Sequence, residues 1–332
     1  MADPPRTVVP AALPPSGAAS QARPWSRRDM LVAGTGILTA VVLAPLGAAV
    51  PTLPELAERC CFGAYADNEP YPVDAHFALE RRIGGTRLPV CSWFVQFGSS
   101  FPAEAATVVA GRGGYDLLLA WEAHGIAFDD ILAGSHDEYI WRFVRDAGEF
   151  PGAVVLRPFH ESNGDWYDWS PASGRGYVRD ADQWIAAWRH VVTIGRRAGR
   201  PNVRFAWCMS SHDTTGALER LWPGEDVVDI LGIDAYGWTV GSRFETLLDD
   251  VYERVAGRHP RAPVWVCELG LGDQQTGAAD FYRSVYGATR YPRLAVVCWF
   301  DKDQFAITAD PAAATVHAQQ LPRAPRSVSW VG

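Results

Sequence analysis

Two glutamates stand where a pair of carboxyl groups could carry out acid–base chemistry. Glu161 ends the apolar run 153–161, and Glu268 lies at the end of the apolar run 264–269. A polar group at the end of such a run costs free energy unless it is hydrogen-bonded or used. One carboxyl group can donate a proton while an ionised partner attacks, if their surroundings hold their pKa values apart. The alternative is that each glutamate caps a strand or pairs with an arginine.

The neighbours of these glutamates indicate how the two roles would divide. Arg157 lies two side chains before the end of its strand on the same face and could keep Glu268 ionised. His160 and the aromatic Trp166 stand beside Glu161, which would then be the proton donor. Asp234 closes a further apolar run and is expected to support the site.

Eight short apolar runs would position these residues. They alternate with helical stretches and cover 60–65, 90–97, 116–122, 153–161, 203–210, 229–236, 264–269 and 294–300. Continuous apolar runs are typical of parallel strands buried on both faces. Eight of them with helices between predict an α/β fold, a (β/α)8 TIM barrel forming a single catalytic domain over 51–332. A doubly wound sheet is the competitor, but Gly63-Ala64-Tyr65 lacks its glycine-rich phosphate turn.

Two helix starts are also predicted. Ser135 and Glu138 have capping-box spacing before an amphipathic stretch, and a helix is expected from Asp180 through Ala198.

In a barrel of this kind the site lies at the carboxyl ends of the strands, where strands 4 and 7 face each other. The two carboxyl groups could then approach to about 5–5.5 Å, the separation in retaining glycosidases.

The segment around Glu161 resembles the acid/base signature of glycoside hydrolase family 26. Residues 155–169 read Val-Leu-Arg-Pro-Phe-His-Glu-Ser-Asn-Gly-Asp-Trp-Tyr-Asp-Trp, close to the family's Leu-Arg-x-x-His-Glu-Met-Asn-Gly-x-Trp-x-x-Trp. The stretch 265–270, Trp-Val-Cys-Glu-Leu-Gly, looks like the family's nucleophile strand, and 232–236 resembles its strand 6. The resemblance covers roughly residues 60–310.

The resemblance implies a role for each matching residue. Glu161 would be the acid/base and Glu268 the nucleophile. The implied substrate-binding residues are His160, Trp166, Tyr236, Trp299, Trp121 and Asn163. Tyr236 would also hydrogen-bond the nucleophile, and Asn163 would shape the turn that aims Glu161. Trp169, Trp207 and Trp238 are further sugar platforms or, equally, core residues.

Departures from the family pattern bear on the substrate rather than on the mechanism. Ser162 stands where the family usually has Met, and Asp168 where it often has Pro. The strand-3 stretch 121–124, Trp-Glu-Ala-His, looks more like the glucanase-type members than the mannanases. Members cleave β-1,4-mannan, mixed-linkage β-1,3-1,4-glucan or β-xylan, and we expect mannan or mixed-linkage glucan here.

The amino-acid composition excludes some classes of binding partner. The formal net charge is −8. Without residues 1–50, which hold four basic and two acidic residues, it becomes −10. This balance argues against nucleic acid or an anionic membrane as main partner. The six cysteines form no Cys-x-x-Cys or zinc-type spacing, so no metal and no cofactor is expected. If the chain is exported, Cys267 with Cys298 is the disulfide to check.

The N-terminal segment resembles a targeting signal. Arg27-Arg28 precedes an uncharged stretch over 30–50, as in twin-arginine export signals, and 47–49 offers small residues for cleavage. We expect 1–50 to be such a signal with an N-terminal extension, and the mature protein to be a secreted monomer free of the membrane. The 21 uncharged residues of 30–50 could instead anchor the chain in a bilayer.

Three other functions stay open from the sequence. The chain could be a non-catalytic glycan-binding protein on the same barrel, or a hydrolase of a microbial exopolysaccharide. A metal-dependent hydrolase using His160, Glu161 and His124 is the third, although it lacks the several further strand-end ligands that a metal site requires.

Overall fold

The described part of the chain is a closed parallel barrel. The computed structural model describes residues 53–66, 71–239, 241–272 and 277–330, which belong to one compact unit, Leu53–Gly332. Eight parallel strands pair in chain order, and the last pairs with the first. They are β1 Cys61–Ala66, β2 Val90–Gln96, β3 Asp116–Glu122, β4 Val154–Pro158, β5 Val203–Ser210, β6 Ile230–Gly237, β7 Val264–Leu271 and β8 Leu294–Asp301. The predicted (β/α)8 barrel is confirmed.

Helices surround the strands. They are α1 Leu56–Arg59, α2 Val73–Arg82, α3 Ala103–Arg112, α4 Phe128–Leu132, α5 Asp137–Ala147, α6 Ala181–Arg196, α7 Phe244–Ala256, α8 Ala278–Tyr286 and α9 Pro311–Gln320. Asp180 caps α6, because its side chain accepts from the Gln183 amide at 2.8 Å. The prediction of a capping box at Ser135 is wrong, because α5 begins at Asp137 after His136 and has no side-chain cap. Among the described helices, none is long and apolar enough to cross a membrane.

Two buried layers lie on opposite sides of the sheet. The larger packs the outer faces of the strands against the helices. A smaller cluster takes residues from all eight strands and fills the barrel interior, including the thiols of Cys61, Cys208, Cys267 and Cys298. All six cysteines are free thiols. The predicted export signal at 1–50 lies outside the described residues and stays a prediction.

A bulge in β7 changes which residues face inward. Ile233 pairs with Val266, but the next residue, Asp234, pairs with Glu268. The extra residue, Cys267, interrupts the usual alternation of sides. Both Cys267 and Glu268 therefore face the interior, Cys267 within the inner cluster and Glu268 at the mouth.

Candidate active site

The chain turns sharply where β4 ends. Phe159 and Glu161 have φ values of 56° and 54°, in the left-handed region that non-glycine residues rarely adopt. Such a conformation persists only where the surrounding structure fixes it. Here the Glu161 amide donates to the Cys208 carbonyl at 3.0 Å, and the Trp169 indole donates to the His160 carbonyl at 2.7 Å. The turn thereby holds the Glu161 side chain over the barrel mouth.

Glu161 occupies surroundings that favour its protonated form. Its exposed fraction is 7%. Burial raises the pKa of Glu161 well above its usual range, and the nearby charges of Asp234 and Glu268 raise it further. The indole of Trp166 donates to Oε2 at 2.9 Å, which pulls the pKa of Glu161 down in part. A carboxyl group held protonated in this way can act as a general acid.

Glu268 occupies the opposite surroundings. Arg157 Nη2 donates to Oε1, and the Tyr236 hydroxyl donates to Oε2. Both donors stabilise a negative charge, and Glu268 is itself 5% exposed. The predicted contact between Tyr236 and Glu268 is present. An ionised carboxylate held in a fixed orientation is suited to nucleophilic attack.

Arg157 joins Glu268 to a second carboxylate. Its guanidinium is fully buried, and Nη1 donates to Asp234 Oδ2 at 2.7 Å while Nη2 reaches Glu268. The ring of Phe94 lies 5.5 Å from the guanidinium carbon. Burial raises the pKa of Asp234 to about 8 against the opposing charge of Arg157. Arg157 thus links the carboxylates of Asp234 and Glu268 by hydrogen bonds.

His160 lies deep in the same site. It is fully buried, and neither ring nitrogen has a hydrogen-bond partner among the described residues. One nitrogen lies within 4.8 Å of oxygens of Asp234 and Glu268. Burial and the charge of Arg157 lower the pKa of His160, so the ring is neutral. These three side chains would hold a metal poorly, because Arg157 and Tyr236 already donate to the two oxygens of Glu268.

Asn163 does not contact the site as predicted. Its amide nitrogen donates to the Ser210 carbonyl at 2.8 Å, and its oxygen accepts from the Ser210 amide at 2.9 Å. The side chain is fully buried. Its assignment as a substrate-binding residue is therefore wrong, and it instead fastens the turn after β4 to the end of β5.

The prediction that Trp121 and Trp299 are substrate-binding residues is also wrong. Both are fully buried on the outer face of the barrel. Trp121 stacks on Phe143 of α5 with ring centroids 4.6 Å apart. Trp299 packs against Tyr282 of α8 at 5.4 Å. A sugar ring at the barrel mouth cannot reach either one, so both serve packing.

The sequence did not predict a further group of aromatic side chains, which lies around Tyr236 at the candidate site. A cluster of Tyr65, Phe300 and Phe305 forms there, with Phe94 and Tyr236 packed against it. Trp238 extends this cluster outward, 5.3 Å from Phe305 and 43% exposed. Strand alternation could have found Phe300, since a residue next to an outward-facing Trp299 must face inward.

His124 belongs to the rim of the site. Its ring lies 3.8 Å from a Glu122 oxygen and 3.6 Å from an Asp168 oxygen. Burial would lower the pKa of His124, but these two carboxylates raise it. Since His124 contacts Glu122 and Asp168 instead, the structure does not support a metal site of His124, His160 and Glu161.

The comparisons with known proteins agree with this geometry. The model of glycosyl hydrolase family 26 matches residues 144–256. Endoglucanase H of Acetivibrio thermocellus is 27% identical over 75% of this chain and 29% of its own length. The mannan endo-1,4-beta-mannosidase A and B of Caldalkalibacillus mannanilyticus is 26% identical over 45% of this chain and 28% of its own. The matched region thus spans less than a third of either relative.

A solved structure shares the fold. The family 26 β-mannanase of Bacteroides ovatus aligns with a TM-score of 0.58 at 18% identity, covering 81% of this chain and 90% of that one. At this identity the likeness shows the barrel alone. The predicted resemblance to family 26 is confirmed over residues 144–256, and these relatives are glycan-degrading enzymes by name.

Proposed function

From the premise that this barrel is of the family 26 type, we propose that the chain is a retaining endo-β-glycanase. Its substrate is a β-linked polysaccharide, either β-1,4-mannan or mixed-linkage β-1,3-1,4-glucan. Glu161 is the acid/base and Glu268 the nucleophile. The observation that carries the proposal is the contrast between two carboxyl groups at one barrel mouth, one buried with a raised pKa and one held by Arg157 and Tyr236.

The first step uses this contrast directly. Glu268 attacks the anomeric carbon while Glu161 gives its proton to the departing glycosidic oxygen, which leaves a covalent glycosyl-enzyme. Arg157 and Tyr236 fix the attacking carboxylate, so little reorientation is required when the bond forms. The orphaned nitrogens of His160 lie close to Glu268 and can bond a sugar hydroxyl there.

The second step requires Glu161 to act as a base. Once Glu268 is esterified, its negative charge is gone, and with it part of the repulsion that raises the pKa of Glu161. Glu161 then ionises more readily and removes a proton from the attacking water. Water attacks from the face opposite Glu268, the face that the glycosidic oxygen left, so two successive inversions retain the anomeric configuration.

The substrate proposal depends on the site and on the relatives together. Trp238, which is 43% exposed, and the half-buried rings of Phe94 and Tyr236 offer aromatic surface to sugar rings, with the buried cluster of Tyr65, Phe300 and Phe305 packed against them. The relatives' names include an endoglucanase and a mannan endo-1,4-beta-mannosidase. Both polymers therefore stay in the proposal, and the hydrolysis test decides between them.

The test is hydrolysis by the full chain of glucomannan, galactomannan, barley β-glucan, β-1,3-xylan and arabinoxylan, with NMR of the first-formed anomer. Glu161→Gln and Glu268→Gln are compared with Glu104→Gln, an exposed residue of α3. We expect one mannan or β-glucan substrate, a retained anomer, and a loss of several orders of magnitude in both site variants only.

A second comparison separates the two glutamates. An aryl glycoside with an acidic leaving group needs no proton, so Glu161→Gln should keep much of its first-step rate there while Glu268→Gln stays inactive. An inverted product would refute the mechanism. Binding without hydrolysis of any polymer by the folded wild type would instead favour a glycan-binding protein, and cleavage of a microbial exopolysaccharide alone would overturn the substrate.

A further inference from the structure

Beneath the two glutamates, three side chains converge inside the barrel. Cys208 Sγ, Cys267 Sγ and one oxygen of Asp234 all lie within 4.8 Å of one another. All three residues are buried. We propose that they form a binding site for a divalent thiophilic cation, zinc or its analogue cadmium. The proposal does not depend on the proposed hydrolase activity.

The gap between the two thiols is created by a glycine. Gly232 of β6 pairs with Cys208 of β5, and a Cβ added to it would lie 2.7 Å from the Cys208 Cβ. With no side chain on β6 at this height, the thiols from β5 and β7 can face each other across it. The bulge in β7 completes the arrangement by bringing Cys267 inward together with Glu268.

This spacing suits a metal ion rather than a disulfide. Cys208 and Cys267 lie on strands separated by β6, so their Cα atoms are about 9 Å apart, twice the strand spacing less the barrel's curvature. A disulfide requires Cα atoms no more than about 7 Å apart. An ion with metal–sulfur bonds of about 2.3 Å joins sulfurs that lie roughly 4 Å apart.

Asp234 supplies the third ligand atom, a carboxylate oxygen. Its Oδ2 accepts from Arg157 Nη1 at 2.7 Å, whereas Oδ1 is buried and has no hydrogen-bond partner among the described residues. A buried acceptor left unpaired is costly. An ion bound at Oδ1 would satisfy it, while Arg157 would keep the carboxylate in orientation, as outer partners of metal ligands do.

The charge balance selects the ion. Two thiols lose their protons to solvent as the ion binds, so with Asp234 ionised a divalent ion leaves the net charge of the enclosed group unchanged. A monovalent ion would leave an extra negative charge in a dry interior. Thiolate ligands disfavour magnesium and calcium, which prefer oxygen. Arg157 Nη1 lies 3.8 Å from Cys208 Sγ and can donate to the thiolate.

The sequence could not reveal this site. Zinc spacing is recognised when ligands are close in the chain. These three ligands come from β5, β6 and β7, and only the closed barrel brings them together. The proposal therefore departs from the expectation, drawn from spacing alone, that the chain holds no metal.

The test uses the metal-free full chain and cadmium alone, without glycan. Equilibrium dialysis should give one tightly bound cadmium per chain, with a sulfur-to-cadmium charge-transfer band in the ultraviolet. Cys208→Ala and Cys267→Ala should each lose the band and at least tenfold in affinity. Cys91→Ala should lose neither, because Cys91 is an equally buried thiol that packs in the outer layer instead.

A measurement on the wild type covers the case in which a variant fails to fold. X-ray absorption at the cadmium edge should show two sulfur ligands. A coordination shell without two sulfurs, an unchanged band in folded Cys208→Ala or Cys267→Ala, or no band in the wild type would each overturn the proposal.

Discussion

At the scale of single residues, Arg157 determines how the two candidate catalytic carboxyl groups differ. One guanidinium donates to Glu268 and to Asp234, both buried. Among the described residues, the side chain of Glu161 has no such partner and accepts only from the neutral indole of Trp166. A charged donor stabilises a carboxylate more strongly than a neutral one. The division of roles therefore follows from which carboxyl group receives the arginine.

The Trp166 hydrogen bond gives a pH prediction. The bond favours ionised Glu161, so Trp166→Phe should raise the pKa of Glu161 further. Since the first step needs protonated Glu161, the alkaline limb of the kcat/KM profile should move to higher pH. Trp141→Phe, a half-exposed residue of α5, should leave the limb in place. A downward shift in Trp166→Phe would contradict this role.

At the scale of elements, adjacent residues of one strand serve different layers. On β8, Trp299 pairs in register with Ala64 and faces the helices, whereas Phe300 pairs with Tyr65 and faces the barrel mouth. A single register therefore decides which aromatic ring packs against the helices and which packs around the candidate site. Resemblance at the strand end alone cannot tell the two apart.

This division predicts opposite consequences for two substitutions. Trp299→Ala should lower the free energy of unfolding by about 3–5 kcal/mol through the cavity that it leaves. Its KM, measured well below the unfolding temperature, should barely change. Phe300→Ala should raise KM for the polymer several-fold, because it removes the ring that packs against Phe94 and Tyr236 in the candidate site. Chemical denaturation and kinetics on both variants check this, and a raised KM in Trp299→Ala would restore it as a platform.

The sequence predicts the positions of the strands better than it predicts which side chains face the barrel interior and which face the helices. The eight strands and both glutamates follow from apolar runs and from what ends them. The bulge that turns Cys267 and Glu268 to the same side leaves no pattern of residue types. Nor does the left-handed backbone of Phe159 and Glu161, because position-specific contacts, rather than a glycine, impose it.

At the scale of the whole molecule, buried histidines make the fold sensitive to acid. His317 lies in the outer layer, accepts or donates a hydrogen bond with the Tyr286 hydroxyl at 2.8 Å, and is fully buried. Burial lowers the pKa of His317 to about 3. The unfolded chain takes up a proton near pH 6.5 and the folded chain does not, so stability falls as the pH drops below that value.

His317→Asn tests this dependence, since the amide is neutral and can still bond Tyr286. Between pH 7 and pH 5 the wild type should lose about 2 kcal/mol through this residue, and His317→Asn should not. Urea denaturation at both pH values measures the difference. The exposed His212 gives the control: His212→Asn should keep the full loss. Equal losses in wild type and His317→Asn would show that His317 takes up its proton as readily in the folded chain as in the unfolded chain.

The turn that aims Glu161 also limits how the thermal stability of the protein can be increased without loss of activity. Two non-glycine residues held at positive φ cost on the order of 1–3 kcal/mol each, and the buried carboxyl adds to that cost. Substitutions to Gly or Asn at position 161 relieve both and remove the proposed acid. Selection of a library for heat resistance alone would therefore drift towards inactive chains, whereas selection on turnover would keep the turn and gain stability elsewhere.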